Sequence, residues 1–313
     1  ATTVLSLSAL LHAEEGGIPE NARKILSFTD NRQDASLQAG HFNDFVQVSL
    51  LRAAIYDALC KYGKLRYDKI ADRVVESMGV ELKEVASNPD LDPDSPHGRR
   101  VWETFRDLVE YRIYEDLRRG WRVVQPNLEQ CGLLRIDYEG LEELCRDSDK
   151  WQDIKPLSDL LPDEREEIIR TILDHFRKKL AINAELLRER EQQQLKRRVN
   201  QEINKRWGLE EVRPATRFLL PGIEANRSAT GLSLSERSLI GRYLCRCLDL
   251  SADEYRRFIH SLIELLCTQG FLVKDEDRGV SFVQLNVPVL IWRLGDGTPP
   301  PPDPIYSLSL IHI

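Results

Sequence analysis

Between Asp163 and Trp207 the chain contains neither Pro nor Gly and is dense in Glu, Arg, Leu, Lys and Gln, all strong helix formers. One or two long helices are expected there, with a break near Ile182-Asn183. The first half presents Ile168, Ile169, Ile172, Leu173, Phe176 and Leu180, a broad apolar face that must be packed. The second half narrows to Leu195, Val199, Ile203 and Trp207 at i+4 spacing, bordered by Lys196, Arg197, Arg198, Lys205 and Arg206. That single seam predicts a solvated helical hairpin or coiled-coil arm. Its cations could contact phosphates at a salt-sensitive affinity, but Glu185, Glu189, Glu191 and Glu202 are interleaved with them and offer intrahelical pairs.

A second stretch, Lys24 to Phe45, reads as one α/β unit. The buried-strand run Ile25 to Phe28 stops at Thr29-Asp30-Asn31-Arg32-Gln33, and a helical pattern then carries Ala35, Leu37, Ala39, Phe42, Phe45 and Val46 inward. The helix N-terminus concentrates unpaired backbone N–H groups and positive dipole where Thr29, Asn31 and Arg32 sit, so the turn suits a phosphate or carboxylate. Spacing alone favours a ligand-free turn, because doubly wound domains repeat such units and most carry no ligand at a given turn.

The wording of this segment adds to its spacing. The sequence ILSFTDNRQDASLQAGHFNDF, Ile25 to Phe45, resembles motif IV of superfamily 2 helicases, and more narrowly the large bacterial DEAD/DEAH-box helicases of DNA-repair and phage-defence loci. The resemblance is strongest over residues 1–60, and Trp121 to Leu141 (WRVVQPNLEQCGLLRIDYEGL) also resembles the interior of that family. It implies a partial second RecA-like domain in which Thr29, Asn31, Arg32 and Gln33 contact the nucleic-acid backbone, while Asp30 caps the helix. It also implies a parent protein that hydrolyses ATP with Mg2+ and moves on nucleic acid, taken as DNA, with the rest of the helicase core in the same polypeptide. The chain has no GxxxxGK[ST] loop, no DExH or DEAD sequence and no QRxGRxGR-like motif. No ATP hydrolysis is therefore expected of it alone, and the resemblance places those motifs upstream and downstream.

At 313 residues, 42% hydrophobic and 30% charged, the chain suits two or three domains with real cores. A net charge of −7 gives no global basic field, so any nucleic-acid contact must come from local patches. Cysteines at 60, 131, 145, 245, 247 and 267 lack zinc spacing and are expected to be reduced, buried thiols of a cytoplasmic protein. No run reaches membrane-spanning length, and the start ATTVLSLSALL lacks a signal-peptide pattern. The start at Ala1 rather than Met leads us to expect a gene fragment. The end at Leu308 to Ile313 resembles a translated sequencing adapter, so 308–313 is expected to be an artefact.

The expected fold class is mixed α/β, mostly α: a partial RecA-like unit over 1–62, a helical insertion with a long arm over 63–210, and a winged-helix-like module over 211–295. Within the insertion we expect the first helix to end at Tyr62-Gly63, a second over Leu65 to Met78 closed by Gly79, and an exposed loop from Asn88 to Gly98. A helix over Val101 to Arg119, short strands at Trp121 to Val124 and Leu133 to Ile136, and a helix carrying Leu141, Leu144 and Cys145 complete it.

In the last module Glu236 to Leu248 reads as a helix, Ser251 with Glu254 as a capping box, and Phe271 to Val273 with Ser281 to Leu285 as paired strands. Arg256, Arg257 and His260 are the second helix's candidate outward cations for a DNA groove. Against groove reading, the wing carries Asp275, Glu276 and Asp277, whose charge repels phosphate, so packing is the favoured role. Ile291-Trp292-Arg293 is expected to close the module, and the Pro-rich 296–307 to be a plain spacer.

The alternative to a helicase fragment is a non-enzymatic winged-helix DNA-binding or scaffold protein.

Overall fold

The computed structural model describes residues 8–9, 12–13, 15–19, 32–119, 126–209, 211–222, 231–277 and 280–307, with side chains omitted for 32–44 and for Asp277. The chain divides into two compact units, Ala1–Ala53 and Ala54–Ile313. The described part of the first is dominated by the start of helix α1 (Arg32–Tyr62). This helix ends where expected: Gly63 adopts φ 73° and its N–H donates to the Leu59 carbonyl at 2.7 Å.

In the second unit the chain next forms β1 (Lys64–Arg66), α2 (Tyr67–Met78), α3 (Leu82–Val85), α4 (Pro96–Asp116), β2 (Leu134–Tyr138) and α5 (Leu141–Arg146). There follow α6 (Pro162–Lys178), β3 (Ile182–Asn183), α7 (Glu189–Glu202), β4 (Phe218–Leu219) and β5 (Leu232–Ser233). Last come α8 (Leu239–Cys247), α9 (Ala252–Thr268), β6 (Leu272–Asp277), β7 (Val280–Asn286), β8 (Leu290–Leu294) and α10 (Pro304–Ser307). The fold is mixed α/β with open sheets, and helix predominates.

Local chemistry explains most of these boundaries. Ile70, Ala71, Val74 and Met78 bury one face of α2, and Gly79 closes it at φ 61°. Ser95 accepts the Gly98 N–H at 2.9 Å with Pro96 in the first turn of α4, so the helix starts inside the expected loop. Ser251 and Glu254 form the expected capping box of α9.

Leu65 corrects the reading of its segment. It lies in β1, not in the following helix, because Leu65 pairs with Trp292 in the antiparallel sheet β1-β8-β2. Ile136 of β2 meets the same tryptophan from the other side, and all three side chains are buried. β8 is thus the middle strand of this sheet and does not close the winged-helix module.

In the second sheet β7 is the hub. β6 lies antiparallel along one edge, with Leu272 opposite Leu285 and Asp277 opposite Val280. On the other edge β3 pairs parallel through Ile182 and Leu285, β4 pairs antiparallel through Phe218 and Val283, and β5 extends β4. Strand pairing therefore crosses the expected boundary at 210/211. Phe176 of α6 packs on Phe218 with ring centroids 4.5 Å apart, joining the helical region to the sheet.

The expected arm is also corrected. Two helices form with a break at 179–188, but α7 lies against α4, with Leu195, Val199, Ile203 and Trp207 all buried. Trp207 meets Phe105 edge-on at 5.0 Å, Thr104 donates to Glu202 at 2.6 Å, and Arg198 pairs with Asp107 at 2.8 Å. At about 1.5–3 kcal/mol per fully buried large apolar side chain, a solvated arm would forfeit most of what its seam can contribute.

Buried charges tie the layers together. Arg177 is 0% exposed and donates to Glu129 at 2.9 and 2.6 Å and to Asp174 at 3.0 Å. Asp137 of β2 collects Arg170 of α6, Arg293 of β8 and Arg135, at 2.9, 2.7 and 2.9 Å. Arg165 donates to the carbonyls of Leu157, Cys145 and Leu160.

The Pro-rich segment docks and is not a free spacer. Gly295 and Gly297 donate to the carbonyls of Leu133 and Gly132, Asp303 pairs with Lys178 at 2.8 Å, Ile305 is buried, and Arg119 lies over the Tyr306 ring at 3.6 Å.

Candidate nucleic-acid interface

Thr29 and Asn31, with the strand expected at Ile25 to Phe28, lie outside the described residues, as do Trp121 to Val124 and 308–313. Arg32 and Gln33 are the first two residues of α1; their backbone is helical and their side chains are outside the described set. The first helical turn thus begins at Arg32, inside the polar cluster that the sequence marks.

The second candidate surface is the outward face of α9. Tyr255, Phe258, Ile259, Leu262, Ile263 and Leu266 turn inward at helical spacing, leaving Arg256, Arg257 and His260 exposed, as expected. Two of the three are already engaged. Arg256 pairs with Glu236 at 3.2 Å and Asp253 at 3.6 Å, and Glu236, stabilised by a backbone N–H and by Arg256, is held below its ordinary pKa. His260 Nε2 lies 3.1 Å from the Pro221 carbonyl oxygen, a geometry that fixes the proton on that nitrogen. Arg257 has no ion pair among the described residues. Lys274, Asp275 and Glu276 are exposed on β6, so the hairpin beside α9 presents more carboxylate than ammonium.

A third feature lies on one face of the β7-centred sheet. A cleft of about 440 Å³ opens between the stretch from Ile182 to Gln193, the segment entering β4, and the strands β6 and β7. Phe282 and Gln284 of β7 line it; Val283 and Leu285 alternate to the opposite face. Arg188, Arg190 and Arg217 bring positive charge, against Glu189 and Asp275. Sequence reasoning assigned no role to these arginines, since Arg188 and Arg190 look like ordinary members of a charged helix and Arg217 follows an unpatterned loop.

Among the described residues no group of His, Cys, Asp or Glu is arranged to hold a metal ion, and no helix is long and apolar enough to cross a membrane. The six cysteines are free thiols, but only Cys145 is buried, while Cys60, Cys131 and Cys247 are exposed. This corrects the expectation of buried thiols: beside Cys60 and Cys247 it is Ala58 and Leu59, and Leu244, that face the core, and Cys131 lies in the turn that precedes β2. Burial, reinforced by Glu166, pushes the Cys145 thiol up to about 12.

No family model, curated protein or solved structure matches this chain.

Proposed function

We propose that the chain is part of an ATP-dependent nucleic-acid helicase or translocase, acting on DNA in the cytoplasm. The stretch Ile25 to Phe45, with its likeness to motif IV, carries this reading. A helix that starts at Arg32 and runs unbroken to Tyr62 is consistent with it. In this reading Thr29, Asn31, Arg32 and Gln33 grip the strand backbone in a second RecA-like domain, and residues 54–313 form an accessory region. ATP and Mg2+ belong to the parent's remaining core, because this chain lacks the phosphate-loop and acidic motifs that would hold them. No catalytic step is assigned to its own residues.

The test is ATP turnover by the full-length gene product and by this chain, each with and without single-stranded DNA. Strand-stimulated turnover by the whole and none by the chain is the expected result; an intact gene product that hydrolyses no ATP overturns it. In the full-length protein, Arg32→Ala should weaken strand binding and uncouple it from ATP turnover. Unchanged stimulation removes Arg32 from the contact set.

One observation favours a scaffold role for the winged-helix-like part within either reading. Arg256 and His260 are engaged by protein groups, and β7 is flanked by strands drawn from both sides of residue 210. Groove reading by α9 would be restored if Arg256→Ala with Arg257→Ala, made in the whole chain, abolished duplex binding.

A further inference from the structure

The Pro-rich segment is anchored at both ends and bare between them. At its start Gly295 and Gly297 donate to the carbonyls of Leu133 and Gly132 at 3.0 and 2.9 Å, and the Thr298 N–H donates to Asp296 at 2.8 Å. At its end Asp303 pairs with Lys178 at 2.8 Å and Ile305 is buried. Between these anchors Pro299, Pro300, Pro301 and Pro302 are all exposed. Each proline fixes its own φ at about −65°, and a residue that precedes proline is held to extended or polyproline ψ. Thr298, Pro299, Pro300 and Pro301 all precede proline, and their peptide bonds are trans, so local sterics impose a polyproline II helix on the run. Such a helix repeats every three residues, which puts Pro299 and Pro302 on one edge about 9 Å apart. The anchors have already removed the ordering entropy that a partner would otherwise have to overcome.

The charge beside the run is one-sided. Lys178 is matched by Asp303, but Arg119 and Lys179, which both lie over the Tyr306 ring, make no ion pair among the described residues. Burial and the Arg119 charge together lower the pKa of the Lys179 ammonium, the mark of a positive field that no carboxylate offsets there.

We propose that the helix from Pro299 to Pro302 is a docking site for a protein with an aromatic-lined groove and an acidic rim, the SH3 mode of proline recognition. Pro299 and Pro302 enter neighbouring slots between aromatic rings, and carboxylates on the rim face Arg119 and Lys179. A groove with a basic rim would meet two uncompensated cations. This docking site is independent of motif IV and of any grip on a nucleic-acid strand.

The test titrates the whole chain into three fluorescently labelled SH3 domains that take PxxP followed by a cation, and into the same domains with their rim carboxylates changed to lysine. Binding to an unaltered domain, and loss of it on charge reversal, is the expected result. Pro299→Ala with Pro302→Ala alters two exposed side chains and leaves both anchors in place. It should weaken binding roughly tenfold or more, with a melting midpoint within about 2 °C of wild type. Lys179→Gln should weaken binding by about two- to fivefold, an effect that disappears at about 1 M salt.

No binding by the wild-type chain to any of the three domains, equal affinity for the charge-reversed domains, or undiminished affinity in the proline variant overturns the proposal. A proline variant that melts well below wild type, with no domain bound by the wild type, would make the run a strut between its anchors and nothing more.

Discussion

Replacing Arg177 by Met measures what the buried ionic network contributes. Met keeps much of the side chain's length, so the change removes charge and donors more than packing. Arg177 is bound to both oxygens of Glu129 and to Asp174, and Tyr138 donates to Asp174 at 2.7 Å. Taking one partner out of a buried pair costs about 3–5 kcal/mol. The Asp174 side chain keeps 23% of its surface in solvent, which places the loss toward the lower end of that range. In a unit of this size each kcal/mol moves the melting midpoint by about 2–4 °C, so a fall on the order of 10 °C is expected.

The sign of the pH dependence is the sharper test. Burial opposes ionisation of Asp174, but Arg177 and Lys178 outweigh it and hold the carboxyl below its ordinary value. That arrangement contributes stability above the unfolded pKa and loses it as pH falls through the folded one. Without Arg177, burial should raise the folded pKa above the unfolded one, so the contribution is present at low pH and lost as pH rises. The gap between wild type and variant must therefore be wider at neutral pH than near pH 4. Thermal melts followed by circular dichroism at both pH values decide this. Equal gaps, or a neutral-pH loss below about 2 °C, would refute the reasoning.

His175 is buried with Nδ1 unpartnered, and burial, assisted by Lys179, brings its pKa down to about 4. A depressed folded pKa means stability is lost as pH falls from the unfolded value near 6.5 towards 4, at most about 3 kcal/mol, and His175→Phe should flatten the denaturation midpoint across that window. Gly132 adopts φ 73°, and an added Cβ would collide with the Thr298 backbone. Gly132→Ala should cost about 1–3 kcal/mol and release the docked segment, read as faster proteolysis between residues 294 and 304. In the native protein a thiol reagent should modify Cys60, Cys131 and Cys247 quickly and Cys145 only after denaturation, as mapped by peptide mass.

Elements whose signals are local were legible from residues alone. Gly63 and Gly79 mark helix ends through their left-handed conformations, Ser251 and Glu254 mark a helix start, and the β6–β7 hairpin shows in its apolar alternation. Partners supplied by distant residues were not. Leu65 continues an apolar pattern that suits the helix after it, and only Trp292, far along the chain, makes it a strand residue. The seam of α7 has the spacing of an arm because α4, which covers it, carries no sequence mark of that pairing. Tyr306 and Ile305 follow a proline run that reads as a spacer until Lys178 and Arg119 are seen beneath them.

The cleft is the extreme case. Its walls come from residues 182–193, 215–217, 275 and 282–284, so no single window of sequence contains its pattern. Its existence depends on register: Arg217 stacks on Phe282 because Phe218 stands opposite Val283, and Asp275 faces the same space because it stands opposite Phe282. A slip of one residue along β7 would turn Phe282 and Gln284 to the far face and bring Val283 and Leu285 into the cleft. Both faces of β7 are buried between Phe282 and Leu285, which penalises that slip on each side at once. The same packing that stabilises the hub strand therefore holds Arg217 against Phe282, and the presence of Arg217 and Asp275 on this face is a consequence of strand register more than of composition.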